Sequence, residues 1–180
     1  MLKNTDTTYS SFSKFLHWTI FLLVAIMLGA GFFLDDIPHG AFRTFVITLH
    51  KSIGITILFL MLIRLIWALM NTKPKLPPQT HLWEKISEHT VHTLLYIILI
   101  AMPLSGWIMS SAAGKPPNFF WLVQLPLPVP HSSELSDFGF AIHQYLAWTI
   151  IILVSIHILA ALKHHFINKD NILKRMMPTK

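Results

Sequence analysis

The chain contains no cysteine. Disulfides, thiolate zinc sites and iron–sulfur clusters are therefore excluded, as is haem attached covalently through a C-x-x-C-H motif. Charge is scarce as well. Asp, Glu, Lys and Arg make up 12% of the 180 residues, about half the share of a soluble domain. The net charge of +6 is not gathered into the folded basic surface that nucleic-acid binding needs. Its cations lie in the segments between apolar stretches, where topology signals belong. No internal repeat and no low-complexity tract is present.

What is abundant is apolar. Hydrophobic residues account for 53% of the chain and fall into four blocks at about 15–34, 45–70, 91–111 and 138–166. Each is long enough to cross a hydrocarbon core of about 30 Å at ~1.5 Å per residue. Turn-forming runs separate them: Asp35-Asp36-Ile37-Pro38-His39-Gly40, Lys73-Pro74-Lys75-Leu76-Pro77-Pro78 and Gly114-Lys115-Pro116-Pro117. The expected fold is all-α, an integral membrane four-helix bundle in a single domain over 1–180. The first block exceeds a signal-peptide core and reads as an uncleaved helix. Orientation follows from Lys and Arg. The N-terminus, the second connection, the tail and their flanks hold Lys3, Lys14, Arg64, Lys73, Lys75, Lys85, Lys163, Lys169, Lys174, Arg175 and Lys180. The other side holds only Arg43, Lys51 and Lys115. Both termini are thus expected in the cytoplasm, which in a bacterium makes the membrane the inner one. Residues 118–130 are too short an apolar run to span. They read as an interfacial lid, with a disordered outer loop as the alternative.

Eleven histidines are many for so apolar a chain. An ionisable residue inside a span is a functional candidate by default, and four qualify. His17 lies one turn into the first block and His50 about one turn into the second. His143 and His157 lie on the fourth, 14 residues apart. That spacing is close to four whole turns, a rise of about 21 Å, so both imidazoles leave one face at two depths. His17 matches the depth of His157 and His50 that of His143. Each level then holds two facing imidazoles, the number that bis-axial haem coordination requires; helix bundles build haem sites in this way. Gly54 and Gly139, four residues from His50 and His143, are read as room for a flat macrocycle. A lone membrane histidine is often only a bonding group between helices, but four at matched depths are not explained so. A proton relay would call for carboxylates, and no Asp or Glu lies inside a block. His92 is the rival to His17 as partner of His157, with His89 on its face. His39, His81 and His131 read as solvated loop residues. His164 and His165 close the fourth block, one of them facing the bundle.

These residues resemble the bacterial di-haem cytochrome b561 family over nearly the whole length. The likeness is carried by Tyr9-Ser10, Phe15-Leu16-His17-Trp18, His50-Lys51-Ser52-Ile53-Gly54, Arg64-Leu65 with Trp67, and His143-Gln144 with His157. It continues through Ala161-Leu162-Lys163-His164-His165-Phe166, Lys169-Asp170-Asn171, Leu173 and Arg175-Met176-Met177-Pro178. The resemblance implies two non-covalent haems b. The inner iron would be held by His17 and His157, the outer by His50 and His143. It also implies an oxidoreductase that passes electrons between the ubiquinone pool and another donor, superoxide for some members. Lys51 and Arg64 are candidate partners of the haem propionates, with snorkelling as the alternative. His164, Lys163 and Trp18 are candidate quinone contacts at the cytoplasmic edge. Two other readings compete: a haem-bearing membrane anchor for a peripheral oxidoreductase, and a haem-free small transporter or structural bundle. Transport is disfavoured by the lack of buried carboxylates. No G-x-x-x-G motif points to an oligomer.

Overall fold

The computed structural model describes residues 3–177. Its elements, in order, are α1 (Ser11–Phe33), α2 (Ala41–Leu69), α3 (Leu82–Ala112), β1 (Asn118–Phe119), β2 (Val123–Gln124), α4 (Ser133–Phe166) and α5 (Ile172–Met176). The first three helices and α4 are each long and apolar enough to cross a membrane. Pro178, which ends the C-terminal motif, and Lys180 lie outside the described residues.

Local chemistry sets where the helices begin and end. Ser10 caps α1: its hydroxyl accepts from the Ser13 amide at 3.1 Å, satisfying one of the open N–H groups of the first turn. Helix α3 begins well before its apolar block. There Glu84 accepts from the His81 amide at 3.1 Å, in the manner of a capping box. It ends at Gly114, whose φ of 70° lies in the left-handed region that closes helices and favours glycine. Ser132 caps α4 by accepting from the Leu135 amide at 3.2 Å.

The long helices run up and down, with α1 packed on α2, α2 on α3 and α3 on α4. Helix α4 packs closely on α3 but makes few close backbone approaches, if any, to α1 and α2. Buried Gly139 explains the tight α3–α4 contact. A Cβ there would stand 3.0 Å from Met109 Cβ and 3.3 Å from Met109 Cα. Gly139 therefore faces the neighbouring helix, not a macrocycle, and the opening expected beside it is absent. Halfway along the bundle, Ile20, Val24, Ile57, Met61 and Ile150 form a buried apolar cluster. Ile150 sits seven residues from both His143 and His157, so this cluster is a dry waist between the two histidine levels.

The N-terminal segment, the α2–α3 connection and the C-terminal segment meet at one end of the bundle. Asn4 binds Asn71 and Thr72, Lys75 pairs with Asp6 at 2.9 Å, and Arg175 donates to the Lys75 carbonyl. At the opposite end the segment 118–130 is ordered. Its strands pair Asn118 with Gln124 and Phe119 with Val123. The turn between them puts Phe120 at φ 46° and Trp121 at φ 61°, which costs about 1–2 kcal/mol per residue for side chains other than glycine. Two contacts with α2 hold it there. Fully buried Ser52 accepts from the Phe120 amide at 2.9 Å, and Trp121 stacks on Phe45 with ring centres 5.1 Å apart. The Trp107 indole also donates to the Leu125 carbonyl at 2.7 Å. Ser52→Ala leaves the Phe120 amide unpaired and should weaken the hairpin by about 1–3 kcal/mol. Amide exchange over 117–125 should then accelerate by tenfold or more in detergent. Unchanged exchange would mean that the aromatic contacts hold the hairpin by themselves.

Candidate functional site

Two pairs of imidazoles face each other across the space between α4 and the α1–α2 side. His17 of α1 meets His157 of α4 at a ring-centre distance of 6.2 Å, and His50 of α2 meets His143 of α4 at the same 6.2 Å. The ring planes are inclined by 70° and 62°. Two imidazoles bound to opposite sides of one metal, each through a bond of about 2 Å, put their ring centres roughly 6 Å apart. Both pairs therefore have the separation of a shared metal centre. His92 of α3 also approaches His157, at 5.1 Å, which is too close for the two rings to bind opposite sides of one metal. His92 instead lies with its Nδ1 2.6 Å from Glu88, and Glu88 is 2.6 Å from Lys73.

Other features bear on whether a planar metal cofactor fits. Helix α4 stands off from α1 and α2, which carry the opposing histidines, so no backbone fills the space between the partners. The Nδ1 atom of His50 is buried without a hydrogen-bond partner, which is costly unless something else engages the ring. The chain has no thiolate, and no cluster of three or more His, Asp or Glu side chains placed to hold a metal occurs among the described residues. The facing donors at both levels are imidazoles, a ligand type that haem iron takes. The residues fit the group at both levels.

The remaining candidates are placed as follows. Arg64 lies over the Tyr96 ring at 6.0 Å and has no carboxylate within 4 Å among the described residues. Lys14, one turn before His17, is buried and likewise has no carboxylate partner among the described residues. Sequence reasoning counted it only as a topology signal; its spacing from His17 was the available clue. Lys51 donates to the Lys115 carbonyl at 2.8 Å, tying α2 to the outer connection. Arg43 is bound to Asp35 and the Ile37 carbonyl. Of the proposed quinone contacts, Lys163 pairs with Glu84, and the Trp18 indole donates to the Met176 carbonyl at 2.9 Å. His164 is held through Nδ1 by Asp170 at 2.6 Å, and the Nδ1 of His165 is buried without a partner. Near the same end, burial pushes the Tyr9 phenol above its usual range and the Glu88 carboxylate adds to the shift, so Tyr9 stays neutral.

The sequence-level comparisons agree with this geometry. The prokaryotic cytochrome b561 family matches residues 8–179. Cytochrome b561 homolog 2 of Escherichia coli (strain K12) is 33% identical over 176 residues, 97% of this chain and 93% of the relative. Cytochrome b561 homolog 1 of the same organism is 33% identical over 172 residues, 94% and 97% of the two chains. A Yersinia pestis protein described as probable superoxide oxidase CybB is 31% identical over 172 residues, 96% and 97%. With its four apolar helices and its paired imidazoles, the chain belongs to the prokaryotic cytochrome b561 family and is a multi-pass bacterial membrane protein of haem-b electron transfer.

Proposed function

We propose that the chain is a di-haem oxidoreductase of the inner membrane, both termini cytoplasmic, that passes electrons from a donor at the hairpin end to ubiquinone. The observation that carries this reading is the two histidine pairs, each at 6.2 Å, on either side of an apolar waist. His17 and His157 are assigned to the inner haem b and His50 and His143 to the outer one. When bound, haem b supplies one-electron oxidation and reduction. Bound by both imidazoles of a pair, the iron would have no open position, which would disfavour oxygen binding and favour outer-sphere transfer. Ile20, Ile57, Met61 and Ile150 form a buried apolar layer between the levels, which offers protons no polar groups to follow.

The remaining side chains supply charge and hydrogen bonds. Arg64 and buried Lys14 are two inner cations without a carboxylate partner among the described residues, and an anionic propionate suits either. Lys51 serves the outer level, where its ammonium and that of Lys115 also attract a small anion. Superoxide is such an anion, and the activity named for the Yersinia relative supports it as donor. At the inner edge Asp170 takes Nδ1 of His164, which leaves Nε2 as the ring atom to meet a quinone. Lys163 and Trp18, whose donors are engaged within the chain, contribute surface to that edge rather than a hydrogen bond.

Haem counted per chain on detergent-purified protein tests the cofactor assignment. The parent chain should carry two low-spin haems, and His50→Ala and His157→Ala should each retain one. A parent with a single haem would remove one level. Lys51→Glu should slow superoxide-driven reduction about tenfold at low ionic strength and less at high salt. An unchanged rate at all salt concentrations would discard the steering role. His164→Ala should lower ubiquinone reduction at least tenfold with both haems kept, and parental turnover would move the quinone elsewhere.

A further inference from the structure

The two faces of His143 are not treated alike. Its Nδ1 lies 3.1 Å from the Met102 carbonyl and 3.0 Å from the Ser105 hydroxyl, both on α3. The carbonyl can only accept. The Ser105 hydroxyl stands 2.7 Å from the same Met102 carbonyl and donates its one proton there, so it too offers a lone pair to the ring. Two acceptors aimed at Nδ1 place the ring proton on that atom. Nε2 is left with its lone pair, on the side of the ring that meets His50. Ser105 is itself buried, so neither bond is exchanged for water.

Gly106 makes the approach possible. A Cβ at that position would lie 3.0 Å from Cε1 and 3.2 Å from Nδ1 of His143. The ring is therefore pressed against α3 backbone that only glycine leaves open. None of the other three paired histidines is held in this way. His50 has a buried Nδ1 with no partner, and His17 and His157 make no hydrogen bond to the protein through their rings among the described residues.

We infer that Ser105, with the Met102 carbonyl and the space left by Gly106, is a positioning residue for His143 that fixes its tautomer and holds the outer haem at a lower redox potential than His143 alone would. The inference rests on the two-haem reading. An imidazole that donates from Nδ1 is a stronger electron donor at Nε2. A stronger donor favours the oxidised, more positive iron, and hydrogen bonding around the ligands is one of the levers that sets haem potential. Since the inner pair lacks the bond, the effect is confined to one level.

The test is a spectroelectrochemical titration of the full-length parent, Ser105→Ala and Ser105→Thr proteins, with haem counted in each. The two potentials are assigned by comparison with His50→Ala, which lacks the outer site. Ser105→Ala should keep two haems and shift the outer couple toward reduction by about tenfold in its equilibrium, ~59 mV for one electron, with the inner couple unmoved. Ser105→Thr, which keeps the hydroxyl, should restore the parent value. Two retained haems with both potentials unchanged would overturn the inference, as would equal shifts of both. A parent with one haem would overturn the two-haem reading first, a result the count alone reveals. Should Ser105→Ala not insert, Gly106→Ala gives the second arm. Its methyl must displace the His143 ring, so the outer couple should move or the outer haem be lost while the inner remains. A parental titration in that variant would also overturn it.

Discussion

Imidazoles in the interior of a membrane bundle cannot be satisfied by water, and everything else in this chain is arranged around where four of them find partners. Burying a polar ring without a partner is unfavourable, and hydrocarbon offers none. The bundle faces the rings in pairs at 6.2 Å, a separation that leaves each pair room for a shared metal rather than a bond to each other. Such pairing requires helices that do not touch where the rings meet. Helix α4, which carries two of the four, is accordingly anchored on α3 and stands away from α1 and α2.

A bundle with a gap along one side must be held together elsewhere, and the two ends and the middle do this. The waist of Ile20, Val24, Ile57, Met61 and Ile150 joins α1, α2 and α4 between the two levels of paired histidines. One end is tied by polar contacts among the termini and the α2–α3 connection, including Thr8 to the Arg175 carbonyl and Trp18 to the Met176 carbonyl. The other end is closed by the hairpin, whose strained turn persists because Ser52 and Phe45 grip it. These contacts explain why residues that look functional by type, Lys51 and Trp18 among them, spend hydrogen bonds on the chain itself.

The helices and the facing of His17 with His157 and His50 with His143 were legible because they depend on period and depth, which are properties of spacing. The hairpin was not. Its turn is built on Phe120 and Trp121 at positive φ, where hairpins ordinarily carry Asn-Gly or Asp-Gly, so the usual signal is missing. Gly139 was misread for a related reason. Spacing placed it near His143, but which side of a helix a glycine opens depends on the neighbour, here Met109. The grip on His143 by Ser105 and Met102 was invisible because a serine in a helix gives no local signal, and a carbonyl gives none at all.

His92 shows how the same physics separates similar groups. It lies nearer to His157 than His17 does, and by proximity alone it would be the better partner. At 5.1 Å, however, the two rings are too close to bind opposite sides of one metal, and its Nδ1 lies 2.6 Å from Glu88. That carboxylate stands one turn away on α3, although Nδ1 of His92 makes no well-formed hydrogen bond to it. His17 has no such neighbour and faces His157 at the distance that leaves room for an iron. The distinction between the two rings therefore lies first in their separation from His157, and second in the carboxylate that stands beside His92 alone.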